Sequence, residues 1–283
     1  MILLNSKKRL LTILIILVCG IIIFILGLGT TGLVDETPPL FAAAARAMSE
    51  SGDWITPKVN GMFRFDKPPL IYWLMGFFYS LPKNEIWDSF GTLSARLPSA
   101  LASLFLMLMI GDTLFCWPQK SDRQFLTPIV ASLGFALSPL IIIWSRTAVS
   151  DALLTGTLGI SLLLFWRRMA SENNDQCISA WVFLGFAILV KGPVAFVLAL
   201  LTITSFLFCQ KNWETLLSKI NPKKGFLITT LISVPWYILE LLKEGKPFWD
   251  NFFGYHNFQR YTSVVNNHAE PFWFFLYIMI LAS

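Results

Sequence analysis

Charge is scarce in this 283-residue chain, because Asp, Glu, Lys and Arg together make up 14% of it while hydrophobic residues make up 55%. A soluble domain of this size could not cover so much apolar surface. The composition therefore excludes an ordinary soluble protein and predicts a polytopic membrane protein that contacts membrane lipids. The isoelectric point near 9.0 does not indicate a nucleic-acid partner, since basic loops beside an anionic leaflet explain it without any nucleic-acid motif.

Cysteine and histidine are also few. The four cysteines show neither metal-type spacing nor a paired pattern, and they lie in or beside apolar runs: Cys19, Cys116, Cys177 and Cys209. The two histidines, His256 and His268, are too far apart in sequence for a zincin-type pair. The sequence therefore predicts neither a disulfide framework nor a zinc site.

Long apolar runs dominate what is present. The basic residues Lys7–Arg9 precede about twenty apolar residues with no small-residue cleavage site, which predicts an uncleaved first membrane helix. Further apolar runs follow at 69–81, 97–117, 125–145, 149–166, 178–190, 193–209 and 225–242, and one begins at Phe272. All but the first of these later runs are interpreted as membrane spans.

The run 69–81 is the exception, because its 13 residues between Pro68 and Pro82 are fewer than the ~17–25 that a spanning helix needs. If it crossed the membrane, basic pairs such as Arg167–Arg168 would lie outside, against the positive-inside rule. The run is therefore predicted to be a juxtamembrane or re-entrant helix in a first outer loop, 34–96, with the N-terminus of the chain in the cytoplasm.

This topology places the charged segments that the basic inner loops do not explain on one outer face. Its candidate site residues are the carboxylates Asp35, Glu36, Asp66 and Asp151 and the cations Lys67, Lys191 and Arg260. Cations at a membrane boundary suit a lipid-linked phosphate, and a carboxylate suits activation of an acceptor. The residues alone predict an outward-facing site for an anionic lipid-linked substrate.

Simpler interpretations of these residues stay open. Asp35 and Glu36 precede Pro38–Pro39, so they could be only the cap and dipole partner of a helix that runs to about Glu50 and stops at Gly52. They could equally bind a divalent cation or act as a general base. Asp151 could likewise be only a helix cap.

Lys191 is harder to explain as structural, since apolar residues flank it on both sides. A lysine within a membrane costs about 2.5–3.5 kcal/mol and usually has a partner. Gly192 and Pro193 should break the helix there and turn the lysine towards a cavity. If 251–261 is helical, His256 and Arg260 share one face, although an interfacial aromatic helix with snorkelling cations is the alternative.

An ordered set of motifs resembles one family. The segment "DETPPLFAAAARAMSESGDWITPKVNGMFRFDKPPLIYW" is similar to the first outer loop of the polyprenyl-phosphate-sugar glycosyltransferases, which include the aminoarabinose transferases acting on lipid A and the protein O-mannosyltransferases. The further matches, in chain order, are "AVSDALLTG", "LVKGPVAF", "VPWYILE" and "FWDNFFGYHNFQRYTSVVNNHAEPFWFF". The resemblance implies an all-α, GT-C-type transmembrane helix bundle in a bacterial-type plasma membrane.

The resemblance also implies roles for residues at matched positions. Asp35 corresponds to the principal catalytic carboxylate, with Glu36 beside it, and Asp151 to a second functional aspartate. Lys67 corresponds to a lysine on the carrier-lipid phosphate, assisted by Arg260, and Lys191 to a cavity lysine; Asp66 and His256 are secondary candidates. The donor would be a sugar on undecaprenyl or dolichyl phosphate, transferred at the outer, periplasmic face to a lipid, protein or glycan. Whether a divalent cation takes part is left open.

The sequence departs from the family pattern at three points. The family often has R-Y-A-E where this chain has "TPPLFAAA", and Asp66 replaces a glutamate. The chain, interpreted as a single membrane domain over 1–283, also stops inside an apolar run before the later spans of the family. A fragment, a chain completed by a partner polypeptide and an inactive subunit are the alternatives.

A transporter or flippase for a lipid-linked sugar is the rival function. Neither internal repeats nor charges on both faces of the membrane favour it.

Overall fold

The chain is described by a computed structural model over residues 2–82, 88–117, 123–170, 177–259, 271 and 273–282. Most of these residues are helical, because a helix satisfies every backbone hydrogen bond within its own segment, as an apolar surrounding requires. The helices are α1 (Ile2–Gly20), continued by a first π-helix (Ile21–Ile25), α2 (Thr37–Ser51), α3 (Leu70–Tyr79), α4 (Leu93–Cys116), α5 (Leu126–Ala136), α6 (Pro139–Ser145), α7 (Ser150–Ala170), α8 (Ile178–Lys191), α9 (Pro193–Phe208), α10 (Trp213–Ile220), α11 (Pro222–Glu244), α12 (Lys246–Phe248), a second π-helix (Trp249–Gln259) and α13 (Phe274–Ala282).

Three helical stretches are long and apolar enough to cross a membrane: Lys7–Ile25, Leu93–Cys116 and Trp213–Glu244. The bent pair α5 and α6 would make a fourth. The multi-pass membrane architecture predicted from composition is therefore confirmed. Helix α3 has 10 residues and is about 15 Å long at 1.5 Å per residue, too short to cross, as predicted for the run 69–81.

The predicted span 125–145 is bent rather than straight. The run 125–145 forms two helices, α5 and α6, whose axes differ by 67°. The break lies before Pro139, which has no N–H to donate and forces the preceding residue away from helical geometry. Ser138 accordingly has ψ 127. The bend turns α6 towards the start of α7, where it meets the candidate site.

Helix α2 follows its predicted bounds closely. Pro38 and Pro39 occupy its first turn, where a missing N–H costs nothing. Gly52 ends it with φ 74, a left-handed conformation that glycine adopts freely, and its N–H donates to the carbonyl of Met48 at 3.0 Å.

A small antiparallel hairpin interrupts the otherwise helical first loop. Lys58–Val59 pairs with Met62–Phe63 through a two-residue turn at Asn60 and Gly61, both with positive φ. An Asn-Gly pair is the preferred sequence of such a turn. The all-α prediction overlooked this hairpin, which directs the chain from α2 towards α3.

The core beneath the first outer loop joins α2 and α3 to the helices α7 and α8. Its fully buried members include Phe41, Tyr72 and Val190. Helix α7 packs against both α4 and α8, and a Cβ atom added to Gly156 would lie 2.8 Å from the Cβ of Ala102 on α4. This tight packing holds the ends of α2, α7 and α8 in fixed positions around one cavity.

Candidate active site

A cavity of about 1080 Å³ lies where the ends of several helices meet. Its walls come from the start of α2, the segment between the hairpin and α3, the end of α6, the start of α7, the end of α8 and the second π-helix. It brings together six residues predicted from sequence: Asp35, Asp66, Lys67, Asp151, Lys191 and His256. Glu36 does not line it, and Arg260 and His268 lie outside the described residues.

Asp35 is held in an unusual backbone conformation. Its φ of 76 is left-handed, a region that costs most L-residues about 1–2 kcal/mol but that Asp tolerates better than most. Its Oδ1 accepts a hydrogen bond from the N–H of Glu36 at 2.7 Å, and no ion pair with another described residue involves it. Glu36 makes no side-chain capping bond although it stands at the N-cap of α2. Among the described residues, Asp35 thus offers the cavity a carboxylate on a strained backbone and without an ion-pair partner.

Asp66 is fixed by a partly buried hydrogen-bond network. Arg64 Nη2 donates to its Oδ2 at 2.8 Å, and the hydroxyl of Tyr72 donates to its Oδ1 at 2.9 Å. Tyr72 is fully buried and stacks on Phe41 with ring centroids 5.3 Å apart. Burial, with the neighbouring Asp66 carboxylate, raises the pKa of Tyr72 well above its usual value, so its hydroxyl stays a donor. The shorter side chain at position 66 is therefore firmly placed.

Lys67 lies beside this network. Its Nζ donates to the backbone carbonyl of Asp66 at 2.9 Å. Pro68 follows directly and disfavours a helical conformation at Lys67. Lys67 lines the cavity wall, which Arg64 also lines.

Lys191 has the partner that its apolar surroundings predict. Its Nζ lies 2.6 Å from Oδ1 of Asp151, and both side chains are partly exposed, at 31% and 41%. Lys191 is the last residue of α8 and Asp151 stands in the first turn of α7, so each charge complements the dipole of its own helix. Gly192, with φ 78, and Pro193 make the predicted break that frees Lys191 from a continuous helix.

His256 lines the cavity from the second π-helix, so the described part of the segment 251–261 is helical, as a π-helix. Aromatic packing of Phe248 and Phe252 against Trp236 accompanies the wider turn. In a π-helix hydrogen bonds join residues five apart, so a four-residue spacing no longer defines one face. Arg260 lies outside the described residues, so the shared face of His256 and Arg260 stays a prediction.

Arg64 is a site residue that the sequence reasoning missed. The signal was the alternation in "FRFDK": residues two apart in an extended segment point to the same side, which brings Arg64 to Asp66. Within the described ranges no group of three or more His, Cys, Asp or Glu side chains stands close enough to hold a metal ion. The cavity therefore combines three cations, Arg64, Lys67 and Lys191, with the open carboxylate of Asp35.

One family of known proteins matches most of the chain. The profile of the dolichyl-phosphate-mannose-protein mannosyltransferases matches residues 66–239, more than half of the chain. The chain belongs to this family. The expected helical GT-C fold is confirmed by a solved structure, the crystal structure of ArnT from Cupriavidus metallidurans bound to undecaprenyl phosphate. The two structures superimpose with a TM-score of 0.82 at 23% sequence identity, and the match covers 95% of this chain and 48% of that chain.

Curated relatives of this family member are bacterial. An undecaprenyl phosphate-alpha-4-amino-4-deoxy-L-arabinose arabinosyl transferase of Pseudomonas fluorescens is 25% identical over 264 residues, covering 92% of this chain and 46% of the relative. The corresponding transferase of Erwinia tasmaniensis is 25% identical over 245 residues, covering 85% and 42%. The chain thus spans about half the length of the curated relatives it matches.

Proposed function

We propose that this protein is a glycosyltransferase that moves a sugar from a polyprenyl-phosphate carrier to an acceptor at the outer face of the membrane. One observation carries the proposal: the carboxylate of Asp35, which has no ion pair with another described residue, shares a cavity with the cations Arg64, Lys67 and Lys191. The family of the chain and the polyprenyl-phosphate substrates in the names of its relatives support the same reaction.

The reaction needs both kinds of group. The acceptor oxygen attacks the anomeric carbon, the bond from that carbon to the phosphate oxygen breaks, and the electron pair leaves with the polyprenyl phosphate. The leaving phosphate gains a negative charge, which Lys67 with Arg64 stabilises by charge-assisted hydrogen bonds. We assign Arg260 to the same phosphate. The proton of the acceptor passes to Asp35, the general base, with Glu36 as an auxiliary carboxylate.

Asp151 and Lys191 have a positioning role in this scheme. Their ion pair joins the start of α7 to the end of α8 on the cavity wall. Asp151 orients the sugar or the acceptor, and Lys191 fixes that carboxylate. His256 contributes to the wall on the side of the second π-helix. The acceptor is a lipid, a protein or a glycan.

The orientation follows from charge. Asp151 opens α7 and Arg167–Arg168 lie in its last turn, about 24 Å further along at 1.5 Å per residue. By the positive-inside rule the arginine end faces the cytoplasm of a bacterial-type plasma membrane, so the cavity faces outwards. We treat residues 1–283 as one membrane domain whose first outer loop, 34–96, supplies Asp35, Asp66 and Lys67.

The proposal is tested by replacing Asp35 with Asn in the native host and assaying its membranes for sugar transfer from a labelled polyprenyl-phosphate donor. Loss of a general base should lower the rate about 100-fold or more. Glu50→Gln, an exposed carboxylate at the end of α2, is the matched control and should leave the rate unchanged. Near-normal transfer by well-expressed Asp35→Asn protein would reject the role, and a product with retained anomeric configuration would reject the single displacement.

A further inference from the structure

A second cavity lies within the apolar part of the bundle. It is a groove of about 690 Å³ between α1, α3, α4, α7 and α8, and none of its described lining residues belongs to the active-site cavity. On α4 its wall runs from Pro98 to Asp112, which corresponds to about 21 Å of helix at 1.5 Å per residue. The groove is therefore longer than one leaflet of a bilayer whose hydrocarbon core is about 30 Å thick.

Small residues line the groove where α4 and α7 meet, and aromatic residues form its sides. Ala102 and Gly156 bring α4 and α7 into contact along it, and a side chain at Gly156 would strike the backbone of Ala102 at 2.8 Å. Phe78, Phe105 and Phe183 form its sides. Phe105 is 56% exposed, so the groove is open on this side within the described residues. The lining suits a flexible hydrocarbon chain and offers almost nothing to a polar ligand.

One end of the groove carries charge. Asp112, which lines it, accepts hydrogen bonds from Arg9 Nε at 2.8 Å and from Arg167 Nη1 at 2.9 Å. Two arginines share one carboxylate, so this cluster keeps a net positive charge. Arg9 and Arg167 remain 49% and 33% exposed, and a guanidinium has five N–H donors, so each arginine retains donors beyond those that Asp112 accepts.

We propose that this groove binds one anionic phospholipid, with an acyl chain along α4 and α7 and its phosphate at the Arg9–Asp112–Arg167 cluster. The surplus positive charge selects an anionic headgroup, as basic residues at a cytoplasmic leaflet do. The site stands at the opposite end of α7 from Asp151, so a carrier lipid with its phosphate at Lys67 would not place its headgroup here. The inference goes beyond sugar transfer and needs no donor substrate.

Native mass spectrometry of the purified protein in detergent tests the proposal. The protein is titrated with phosphatidylglycerol and, separately, with phosphatidylcholine of the same acyl chains. We expect one phosphatidylglycerol molecule to be retained in preference to phosphatidylcholine. Arg167→Gln should weaken its binding about fivefold, the effect of one cation at an anionic headgroup. Ser179→Trp should also weaken it by filling the groove at an exposed position of α8.

The matched control is Lys211→Gln, an exposed cation outside the groove, in the connection between α9 and α10. It should bind phosphatidylglycerol as the unmodified protein does. Equal retention of the two phospholipids, or unchanged binding by both the Arg167 and Ser179 variants, would overturn the proposal. Displacement of phosphatidylglycerol by equimolar undecaprenyl phosphate would show that the groove serves the carrier chain instead. If Arg167→Gln does not fold, the lipid preference and Ser179→Trp still decide.

Discussion

At the residue scale, Asp35 has a strained backbone conformation and also carries the carboxylate that the proposed mechanism uses as a general base. Asp35→Ala and Asp35→Gly both remove the carboxylate and its hydrogen bond to Glu36, but glycine alone adopts φ 76 without cost. We therefore expect the alanine variant to be less stable than the glycine variant by about 1 kcal/mol. Thermal unfolding in detergent measures this difference, and equal stabilities would contradict a left-handed backbone at Asp35.

Single residues also show how far the sequence could predict the site. The carboxylates and cations could be assigned to one face because charge in the loops fixes topology, and the structure brings Asp35, Lys67 and Asp151 to one cavity. Which of these side chains contact one another in the cavity could not be predicted. The Arg64–Asp66 contact depends on a local extended backbone, and the exclusion of Glu36 depends on the turn at Asp35, neither of which follows from composition.

At the element scale, an ion pair ties the loop after α2 to the end of α11. Asp53 accepts hydrogen bonds from Lys243 Nζ at 2.6 and 2.7 Å. Burial raises the pKa of Asp53, but the bonds from Lys243 and from the N–H groups of Thr56 and Ile55 outweigh it and lower the pKa to about 2. The folded pKa thus lies below the ordinary value of 3.8.

This depressed pKa predicts a pH dependence of stability. The folded state binds the proton less tightly than the unfolded chain, so the contribution of Asp53 is complete above its ordinary pKa and is lost as the pH falls from about 4 to about 2. Lys243→Ala should reduce the change of melting temperature in this window, whereas Lys211→Ala should not. An identical pH profile for Lys243→Ala and the unmodified protein would show that the pair does not stabilise the fold.

The contact between α8 and α11 predicts contrasting effects of two glycine substitutions. A Cβ atom at Gly225 would lie 1.9 Å from Cε2 of Trp181, whose ring is held by a hydrogen bond to the carbonyl of Ile220 at 2.8 Å. Gly225→Ala should therefore destabilise the protein by about 1–3 kcal/mol. Gly134→Ala in α5 meets open space and should be neutral or slightly stabilising. Thermal unfolding of both variants provides the comparison, and a stable Gly225→Ala protein would refute this packing.

Helices formed by long apolar runs could be predicted from the sequence, whereas bends and π-helices could not. Long apolar runs and the stops at Gly52 and Gly192 follow from side-chain chemistry and were foreseen. The 67° bend before Pro139 and the second π-helix were not, because apolar composition is the same in a straight, a bent and a π-helical segment. The bend lies before Pro139, and aromatic contacts of Phe248 and Phe252 with Trp236 accompany the π-helix.

At the scale of the whole molecule, α7 separates an active-site end from an arginine-rich end. Two exposed cysteines lie at the arginine-rich end: Cys116 is the last residue of α4, and Cys209 follows α9. A membrane-impermeant maleimide added to intact cells should leave both unlabelled, because the positive-inside rule places them in the cytoplasm. A cysteine introduced by Glu50→Cys, at the end of α2, should be labelled. Labelling of Cys116 or Cys209 before permeabilisation would invert the topology and place the cavity inside.

The central claim is that the cavity beside Asp35 binds a carrier phosphate, and the affinity of the purified protein for undecaprenyl phosphate tests it most directly. Lys67→Ala removes a charge-assisted contact and should weaken binding about tenfold or more, the effect of losing a hydrogen bond to a charged group. Lys211→Ala should bind as the unmodified protein does. Equal affinities of the Lys67→Ala and Lys211→Ala proteins would contradict the account.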